Sequence, residues 1–274
     1  MMRALYSGVT GLTSHQTRMD VIGNNIANVN TVGYKASRVI FQDIYSSSLK
    51  PAAAPTAAKG GTNPQQVGLG VQIAAIDILH SKGAPQYTGE SLDFSIDGSG
   101  FFILSDGANE TYTRAGNFYM DNADMLVNAN GKYVQGYMYD SVAGAYSATL
   151  SNIEVDPAYD LVTIDENGVI TGVDATGTRV PIATIALATF SNVNGLSKDG
   201  ENQYLATNNS GAATYTTPGA GGSGELKPGT LEMSNVDLAS EFTNMIVTQR
   251  GFQANSRIIT TTDSMLEELV NLKR

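Results

Sequence analysis

The sequence predicts an α+β protein with a discontinuous terminal α-helical coiled-coil domain and a central antiparallel all-β domain. Apolar residues recur at heptad spacing near both ends of the chain. The middle instead shows the period-two alternation of strands, with Asn-Gly pairs between apolar runs. The predicted helical domain comprises residues 1–35 and 232–274, the linkers residues 36–66 and 207–231, and the β domain residues 67–206.

A stripe of apolar residues predicts the N-terminal helix, because sevenfold spacing places side chains along one helix face. Gly8, Gly11 and Gly23 interrupt this helix, and each costs about 1 kcal/mol of helix propensity relative to alanine. Packing against another helix has to offset that cost. The residues expected at the resulting helix interface are Leu5, Leu12, Met19, Ile22, Ile26 and Val29.

A second stripe predicts the C-terminal helix, which follows the S-x-x-D spacing of a capping box at Ser234 and Asp237. One heptad helix alone would more often pack on its own domain. A heptad helix at each terminus favours helices that pair and also assemble with other copies. The interface residues expected here are Leu238, Phe242, Met245, Phe252, Ile259 and Leu266.

The central segment carries strand and turn patterns. Leu92, Phe94 and Ile96 alternate with polar residues, which predicts a half-buried strand. The Asn130-Gly131 and Asn167-Gly168 pairs predict hairpin turns. Clustered prolines and glycines between residues 50 and 64, and glycines from 211 to 229, predict irregular linkers. Further strands are predicted at residues 133–139, 161–164, 169–173 and 182–190.

Composition excludes several classes of partner. The formal net charge is −10, from 16 Lys and Arg against 26 Asp and Glu, which argues against nucleic acid or an anionic membrane surface as the main partner. There is no cysteine for a disulfide or a thiolate metal site. No apolar run approaches the roughly 18 residues of a membrane span. The N-terminal apolar residues are spread along a face rather than gathered as in a cleaved signal peptide.

Candidate catalytic motifs are weak. His15 and His80 are the only histidines, and no nucleophile elbow accompanies them. Gly219, Gly221 and Gly224 have the spacing of a dinucleotide fingerprint, but no strand precedes them and Pro228 follows where a helix should begin. The sequence therefore predicts a protein that is not an enzyme and has no cofactor and no metal site.

Two long motifs resemble a known family. The run Asn24–Lys35 is similar to the N-terminal signature of the bacterial flagellar rod and hook proteins, and Leu231–Leu238 with Gln249–Arg257 is similar to their C-terminal signature. The residues of the C-terminal signature are most similar to those of flagellar hook proteins. The matching signature residues are Asn24, Asn25, Ala27, Asn28, Asn30, Gly33, Ser234, Asn235, Val236, Gln249 and Arg250.

The resemblance implies a structural subunit of the flagellar hook, a flexible tube that transmits torque, here in a short form without the hook's inserted outer domain. Implied partners are copies of the chain itself in a helical homopolymer, the distal rod, hook cap and hook–filament junction proteins, and the flagellar export apparatus. The implied location is extracellular, in the hook or basal body, after export without a cleaved signal peptide.

Two other functions stay open. One is the rigid distal rod, which the short chain and the long segment between Phe41 and Gly68 favour, since distal rod proteins carry an insertion there. Against it, residues 242–247 and 254–257 look like the hook. The other is a secreted β-rich carbohydrate-binding or carbohydrate-active protein, disfavoured by the absence of Trp and by heptads at both ends.

Overall fold

The structure is a computed structural model that describes residues 2–272 apart from 57–58, 108, 141–143, 157–158, 160 and 175–176. Met1, Lys273 and Arg274, which the predicted helical segments include, lie outside the described residues. A helix near each end of the chain and antiparallel strands between them confirm the predicted α+β class. The chain forms two compact units, one made of Met1–Ala27, Ser37–Leu79 and Asp237–Arg274, the other of Asn28–Ala36 and His80–Val236. We call them the helical unit and the β unit.

The helical unit contains two long helices that pack along each other and two pairs of antiparallel strands. Its elements are α1 (Met2–Ala27), β1 (Ser37–Asp43), β2 (Ser46–Lys50), β3 (Gln65–Gly68), β4 (Val71–Ile78) and α2 (Leu238–Asn271). Strand β1 pairs with β4, and β2 pairs with β3.

Helix α1 ends at Ala27 rather than near Lys35 as predicted, so Val29 lies outside the helix. The side chain of Asn25 explains part of this end. Its Nδ2 donates to the carbonyl of Ser37 at 2.8 Å, and its Oδ1 accepts from the Ser37 amide at 3.0 Å. An asparagine that bonds to a distant backbone in this way fixes where the chain returns as β1.

The predicted linker at residues 36–66 is corrected by the structure, because β1, β2 and half of β3 lie within it. The prolines and glycines occupy the far end of the β2–β3 hairpin, where Ala53 bridges to Thr62 and Thr56 bridges to Lys59. Such residues break a strand locally but do not prevent the flanking segments from pairing. Strand β4 lies within the predicted β domain, residues 67–206, but belongs to the helical unit.

The start of α2 differs from the predicted capping box. Asp237 is itself the N-cap, and its Oδ1 accepts from the Ala239 amide at 3.0 Å. Ser234 Oγ accepts from the amide of Val236 at 3.3 Å, ahead of the helix. The spacing therefore identified the right region but the wrong capping residue. In the described chain, neither helix is long and apolar enough to cross a membrane.

The β unit is built from short antiparallel strands, most of them in one large sheet. The strands are β5 (Pro85–Tyr87), β6 (Phe94–Asp97), β7 (Phe101–Ser105), β8 (Glu110–Thr113), β9 (Phe118–Met120), β10 (Leu126–Asn128), β11 (Tyr133–Asp140), β12 (Ala145–Tyr146), β13 (Ser151–Asn152), β14 (Leu161–Ile164), β15 (Val169–Val173), β16 (Arg179–Ile185), β17 (Leu187–Thr189), β18 (Ser197–Gly200), β19 (Gln203–Leu205), β20 (Thr214–Thr216), β21 (Glu225–Pro228) and β22 (Thr230–Glu232). Within the large sheet a continuous path runs β14-β15-β16-β11-β7-β8-β19-β18.

Strands β20 and β21 and most of β22 lie in the second predicted linker, residues 207–231, which is corrected accordingly. Both Asn-Gly hairpins are confirmed: Gly131 has φ 78° and Gly168 has φ 75°, a left-handed conformation that glycine adopts without strain. Strand β6 is buried on both faces rather than half-buried, because Ser95 bonds to Thr230 and β21 pairs beside it. The core of the unit includes Phe94, Phe102, Leu104, Phe118, Leu126, Val134, Ile153, Ile170, Ile185, Leu187 and Leu226.

Candidate assembly surface and buried ion cluster

Small residues form the contact between α1 and α2. A Cβ atom on Gly11 would lie 2.5 Å from Nδ2 of Asn255, and one on Gly8 would lie 3.2 Å from Cγ1 of Ile259. On the opposite helix, a Cβ on Gly251 would lie 2.7 Å from Nε2 of His15. The glycines that weaken α1 as an isolated helix therefore allow the two backbones to approach closely.

The contact follows heptad lines, but not the predicted apolar ones. On α2 the line is Thr248, Asn255 and Thr262, and both threonines are buried. On α1 the buried residues include Gly8, Gly11, Ser14, Ile22 and Asn25. We call this polar and small-residue contact the glycine seam. Further along it, the guanidinium of Arg18 donates to Oδ1 of Asn244 at 3.3 Å.

Most predicted interface residues flank the glycine seam. Ile22 is buried, whereas Leu238 and Phe242 are 39% and 50% exposed. Ile259 contacts the seam at Gly8. Ile259 and the remaining members are half-buried; the latter are Leu5, Leu12, Met19, Ile26, Val29, Met245, Phe252 and Leu266.

Large apolar side chains on both helices stay exposed in the single chain. On α1, Tyr6 is 65% exposed, and on α2, Ile246, Val247 and Val270 are 59%, 56% and 69% exposed. Others of this kind are Met2, Val9, Phe242, Ile258, Met265, Leu269 and Leu272. A surface this apolar on a long helix is typical of a protein–protein contact.

Within the β unit, two cations converge on one buried carboxylate. Lys35 Nζ donates to Glu232 Oε1 at 2.6 Å, and Arg114 Nε donates to Glu232 Oε2 at 2.9 Å. The side chains of Lys35 and Glu232 are 1% exposed and that of Arg114 is 5% exposed. The Gly83 amide also donates to Glu232 Oε1, at 2.9 Å. We call Lys35, Arg114 and Glu232 the ion cluster.

Backbone carbonyls complete the ion cluster. Lys35 also donates to the carbonyl of Ser81 at 2.8 Å, and Arg114 donates to the carbonyls of Gly98 and Gly100. Burial lowers the pKa of Lys35, while the neighbouring Glu232 carboxylate opposes that shift. Buried charges are tolerated when they are paired and hydrogen-bonded in this way.

The ion cluster joins the two motifs that carry the family resemblance. Lys35 ends the N-terminal motif and Glu232 lies in the C-terminal one. Gly33 donates to the Glu232 carbonyl at 2.7 Å, and Asn235 Oδ1 accepts from the Ala36 amide at 2.8 Å. Sequence reasoning missed these contacts. The one available signal was that Lys35 and Glu232 both fall inside family-like runs.

The other signature residues have local roles or are exposed. Gly33 has φ 69°, and a Cβ there would lie 2.6 Å from the Ala115 amide nitrogen, so only glycine fits. Asn28 Oδ1 accepts from Thr31 Oγ1 at 3.1 Å. Arg250 donates to Gln253 at 3.2 Å on the exposed side of α2. Asn24, Ala27, Asn30 and Gln249 are exposed, and Val236 is half-buried.

Nothing in the described residues groups three or more His, Asp or Glu side chains where they could hold a metal ion. One polar cavity of about 250 Å³ is lined by Thr113, Ala115, Asn117, Asn128, Ala129, Asn130, Glu201 and Asn202. It falls below the usual 300–1,000 Å³ of small-molecule sites and is lined largely by amides. Packing and assembly are what the helix contact and the ion cluster support.

Paired terminal helices with an uncovered apolar surface define a class of structural subunits that pack with other chains. Three family models match: "Flagella basal body rod protein" at residues 5–35, "Flagellar hook protein FlgE/F/G D1 domain" at 95–172 and "Flagellar basal body rod FlgEFG protein C-terminal" at 227–272. The chain belongs to the flagellar rod and hook protein family, which consists of structural proteins of the bacterial flagellum.

Individual relatives span the full length of the chain. The "Flagellar basal-body rod protein FlgG" of Bacillus subtilis is 48% identical over 275 aligned positions, which cover 100% of both chains. The "Flagellar hook protein FlgE" of Borreliella burgdorferi is 33% identical over 441 positions, again with 100% of both chains covered. The rod protein of Caulobacter vibrioides is 35% identical over 276 positions, covering 99% of this chain and 100% of that one.

Proposed function

We propose that this chain is a self-assembling subunit of the distal rod, the rigid drive shaft of the flagellum. One observation carries the proposal. The 274 residues align with a rod protein at 48% identity over 275 positions, which leaves one position (275 less 274) at which this chain has no counterpart. Alignment with a hook protein needs 441 positions, which leaves 167 (441 less 274) at which this chain has no counterpart. The sequence alone favoured the hook, and the lengths of these relatives favour the rod.

The β2–β3 hairpin supports the same function. It occupies the segment in which the resemblance places an insertion of distal rod proteins, and its described residues from 48 to 68 are exposed. Tyr45 is 70% exposed, Leu49 63% and Val67 41%. An exposed hairpin with apolar side chains adds contact area between neighbouring subunits. A tube bends only if neighbouring subunits slide along each other, and added contact area opposes that sliding, as a rigid rod requires.

Self-assembly is proposed through the apolar side chains that the helix pair leaves uncovered. Burying one large apolar side chain contributes about 1.5–3 kcal/mol. Several such side chains lie on each helix, so a partner helix could cover several of them at once. The half-buried residues of the predicted stripes would lie at the margin of this contact.

The hook remains the second candidate because residues 242–247 and 254–257 resemble hook proteins and hook relatives match along the whole chain. Under either function the partners would be copies of this chain and the neighbouring axial proteins, including hook cap and junction proteins. The export apparatus would deliver the chain to a place outside the cell membrane.

Deleting the gene and imaging isolated basal bodies by electron microscopy tests the choice. A distal rod subunit predicts particles that end in a shortened rod and carry no hook. Complete rods that lack only the hook would overturn the rod proposal in favour of the hook. Normal basal bodies with normal hooks would overturn both. Straight tubes grown from concentrated purified protein would support the rod, and curved tubes the hook.

A further inference from the structure

Three elements of the helical unit meet at one imidazole ring, that of His15 on α1. The ring lies against Gly251 of α2, where a Cβ atom would be 2.7 Å from its Nε2. It also packs edge to face against the ring of Phe41 on β1, with the two centroids 5.7 Å apart. A single side chain of α1 therefore contacts both the second helix and the β1–β4 strand pair.

Arg18 contacts the same two elements. Its guanidinium carbon lies 5.8 Å from the centroid of the Phe41 ring, and the guanidinium donates to Oδ1 of Asn244 on α2 at 3.3 Å. Residues three apart on a helix are neighbours, with Cβ atoms about 5–6 Å apart, so Arg18 is also next to His15. We call His15, Arg18, Phe41, Asn244 and Gly251 the His15 junction.

One nitrogen of His15 has no partner in this junction. Nδ1 is shielded from solvent and makes no hydrogen bond, whereas Nε2 is not shielded. A neutral imidazole leaves one nitrogen without a proton, so it can keep Nδ1 bare and carry its N–H on Nε2. An imidazolium carries an N–H on both nitrogens. Protonation therefore places a charged donor at Nδ1, where no acceptor lies.

The charges around the His15 junction do not compensate a protonated ring. Burial, followed by the positive charge of Arg18, lowers the pKa of His15. In the described part of the chain no acid forms a salt bridge with His15, and Arg38 is paired with Asp77 instead. The other charged residues within about one helix turn of the junction, or on β1 and β4, are Asp20, Arg38, Asp43, Asp77, Glu241 and Arg250.

We propose that His15 is a pH-sensitive switch in the helical unit: when its imidazole takes up a proton, the contact of α1 with α2 and β1 at the His15 junction is lost. The neutral ring fits this contact. The imidazolium would sit beside Arg18 with a buried N–H unpaired, and a buried charge without a partner is strongly disfavoured. The β unit contains no part of the junction. The switch belongs to the single chain, so it does not depend on the choice between rod and hook.

The direction of the pH dependence follows from the lowered pKa of His15. The folded chain binds the His15 proton less tightly than the unfolded chain, in which the imidazole has its ordinary pKa of 6.5. The stability of the helical unit is therefore complete well above that pH and declines as the pH falls through it toward the folded pKa. Between about pH 7.0 and 5.5 the equilibrium constant for unfolding should rise by up to about eightfold, the limit for uptake of one proton.

Unfolding of the dilute intact chain at about pH 7.0 and 5.5, followed by circular dichroism at the helix band, tests the proposal. Carboxylates stay ionised in this window, and the chain has two histidines and no cysteine. His15→Gln cannot take up a proton and should abolish the pH dependence of the helical transition. His80→Gln, in the β unit, should leave it unchanged. A His15→Gln chain that still loses helical stability on acidification would overturn the proposal, as would an unmodified chain equally stable at both pH values.

A fixed charge separates the effect of protonation from the loss of the ring. His15→Lys places a permanent cation in the junction and should be less stable than His15→Gln at both pH values. Gln16→Lys adds the same charge at the next, exposed position and should match the unmodified protein. Equal stability of the two His15 variants would show that the junction tolerates a cation and would overturn the proposal.

Nuclear magnetic resonance titration of the unmodified chain decides the question if the His15 variants do not fold. The His15 and His80 signals are told apart by those lost in His80→Gln. A His15 imidazole with a pKa below 6.5 supports the switch, and one at or above 6.5 overturns it.

Discussion

The N-terminal and C-terminal family motifs meet in the β unit at one buried carboxylate, that of Glu232. Glu232 accepts from Lys35, Arg114 and the Gly83 amide, so its two oxygens are satisfied while its side chain is 1% exposed. Pairing two buried charges gains little over an apolar pair, because desolvation offsets the attraction. Removing one partner is different, since the remaining charges stay buried without compensation. The contact between the two motifs at this point therefore depends on the carboxylate of Glu232.

Glu232→Gln should destabilise the β unit strongly. The amide keeps the size of the side chain but leaves Lys35 and Arg114 without a counter-charge, and breaking a buried pair costs roughly 3–5 kcal/mol. Urea unfolding followed by tyrosine fluorescence measures the loss. Glu225→Gln, an exposed change in the same unit, should alter the free energy of unfolding by less than about 0.5 kcal/mol. Equal stabilities of the two variants would contradict the role of Glu232.

The sequence could not predict the ion cluster. Its members are far apart in the chain: 197 residues separate Lys35 from Glu232, and 118 separate Arg114 from Glu232. Lys, Arg and Glu are normally exposed, so composition argues for solvated charges at each position. The family resemblance marked the surrounding runs, but only the folded sheet shows which charges meet.

At the scale of the element, heptad spacing predicted both helices but not the face on which they pair. Hydrophobic periodicity detects apolar side chains and gives no weight to Gly8, Gly11 or Thr248, which form the glycine seam. Strand existence in the β unit was predicted well where Asn-Gly turns separate apolar runs. The order of strands was not, because antiparallel pairs such as β17 with β7 join segments distant in sequence.

Gly11→Leu and Gly23→Leu should have opposite effects on the helical unit. Leucine raises helix propensity equally at both positions, by somewhat under 1 kcal/mol. At Gly11 a larger side chain must displace Asn255, and overpacking of this kind costs about 1–3 kcal/mol. At Gly23 no atom lies within 4 Å of the new Cβ, so the gain in propensity should remain.

Thermal melts of the dilute monomer, followed by circular dichroism at the helix band, measure the difference between these variants. We expect Gly11→Leu to lower the midpoint of the helical transition and Gly23→Leu to raise it. Equal shifts in the same direction would mean that α1 and α2 do not meet at Gly11.

At the scale of the whole molecule, the chain separates two kinds of helix contact. Small and polar residues hold α1 against α2, while large apolar residues on both helices stay uncovered. Sequence periodicity could not tell these contacts apart, because a heptad pattern does not indicate whether the partner helix is in the same chain. Ile259 takes part in the first contact, whereas Phe242 is 50% exposed and takes part only in the proposed second one.

Phe242→Asp should therefore abolish polymerisation without destabilising the monomer. The side chain loses no intrachain packing of consequence, but in a polymer each subunit would bury an unpaired carboxylate in place of about 1.5–3 kcal/mol of apolar contact. Gln253→Asp adds the same charge at an exposed position beside Arg250 and should assemble, while Ile259→Asp should lower both monomer stability and assembly. Electron microscopy of concentrated protein and melting of dilute protein give the two readouts. Normal tubes from Phe242→Asp would remove Phe242 from the assembly surface.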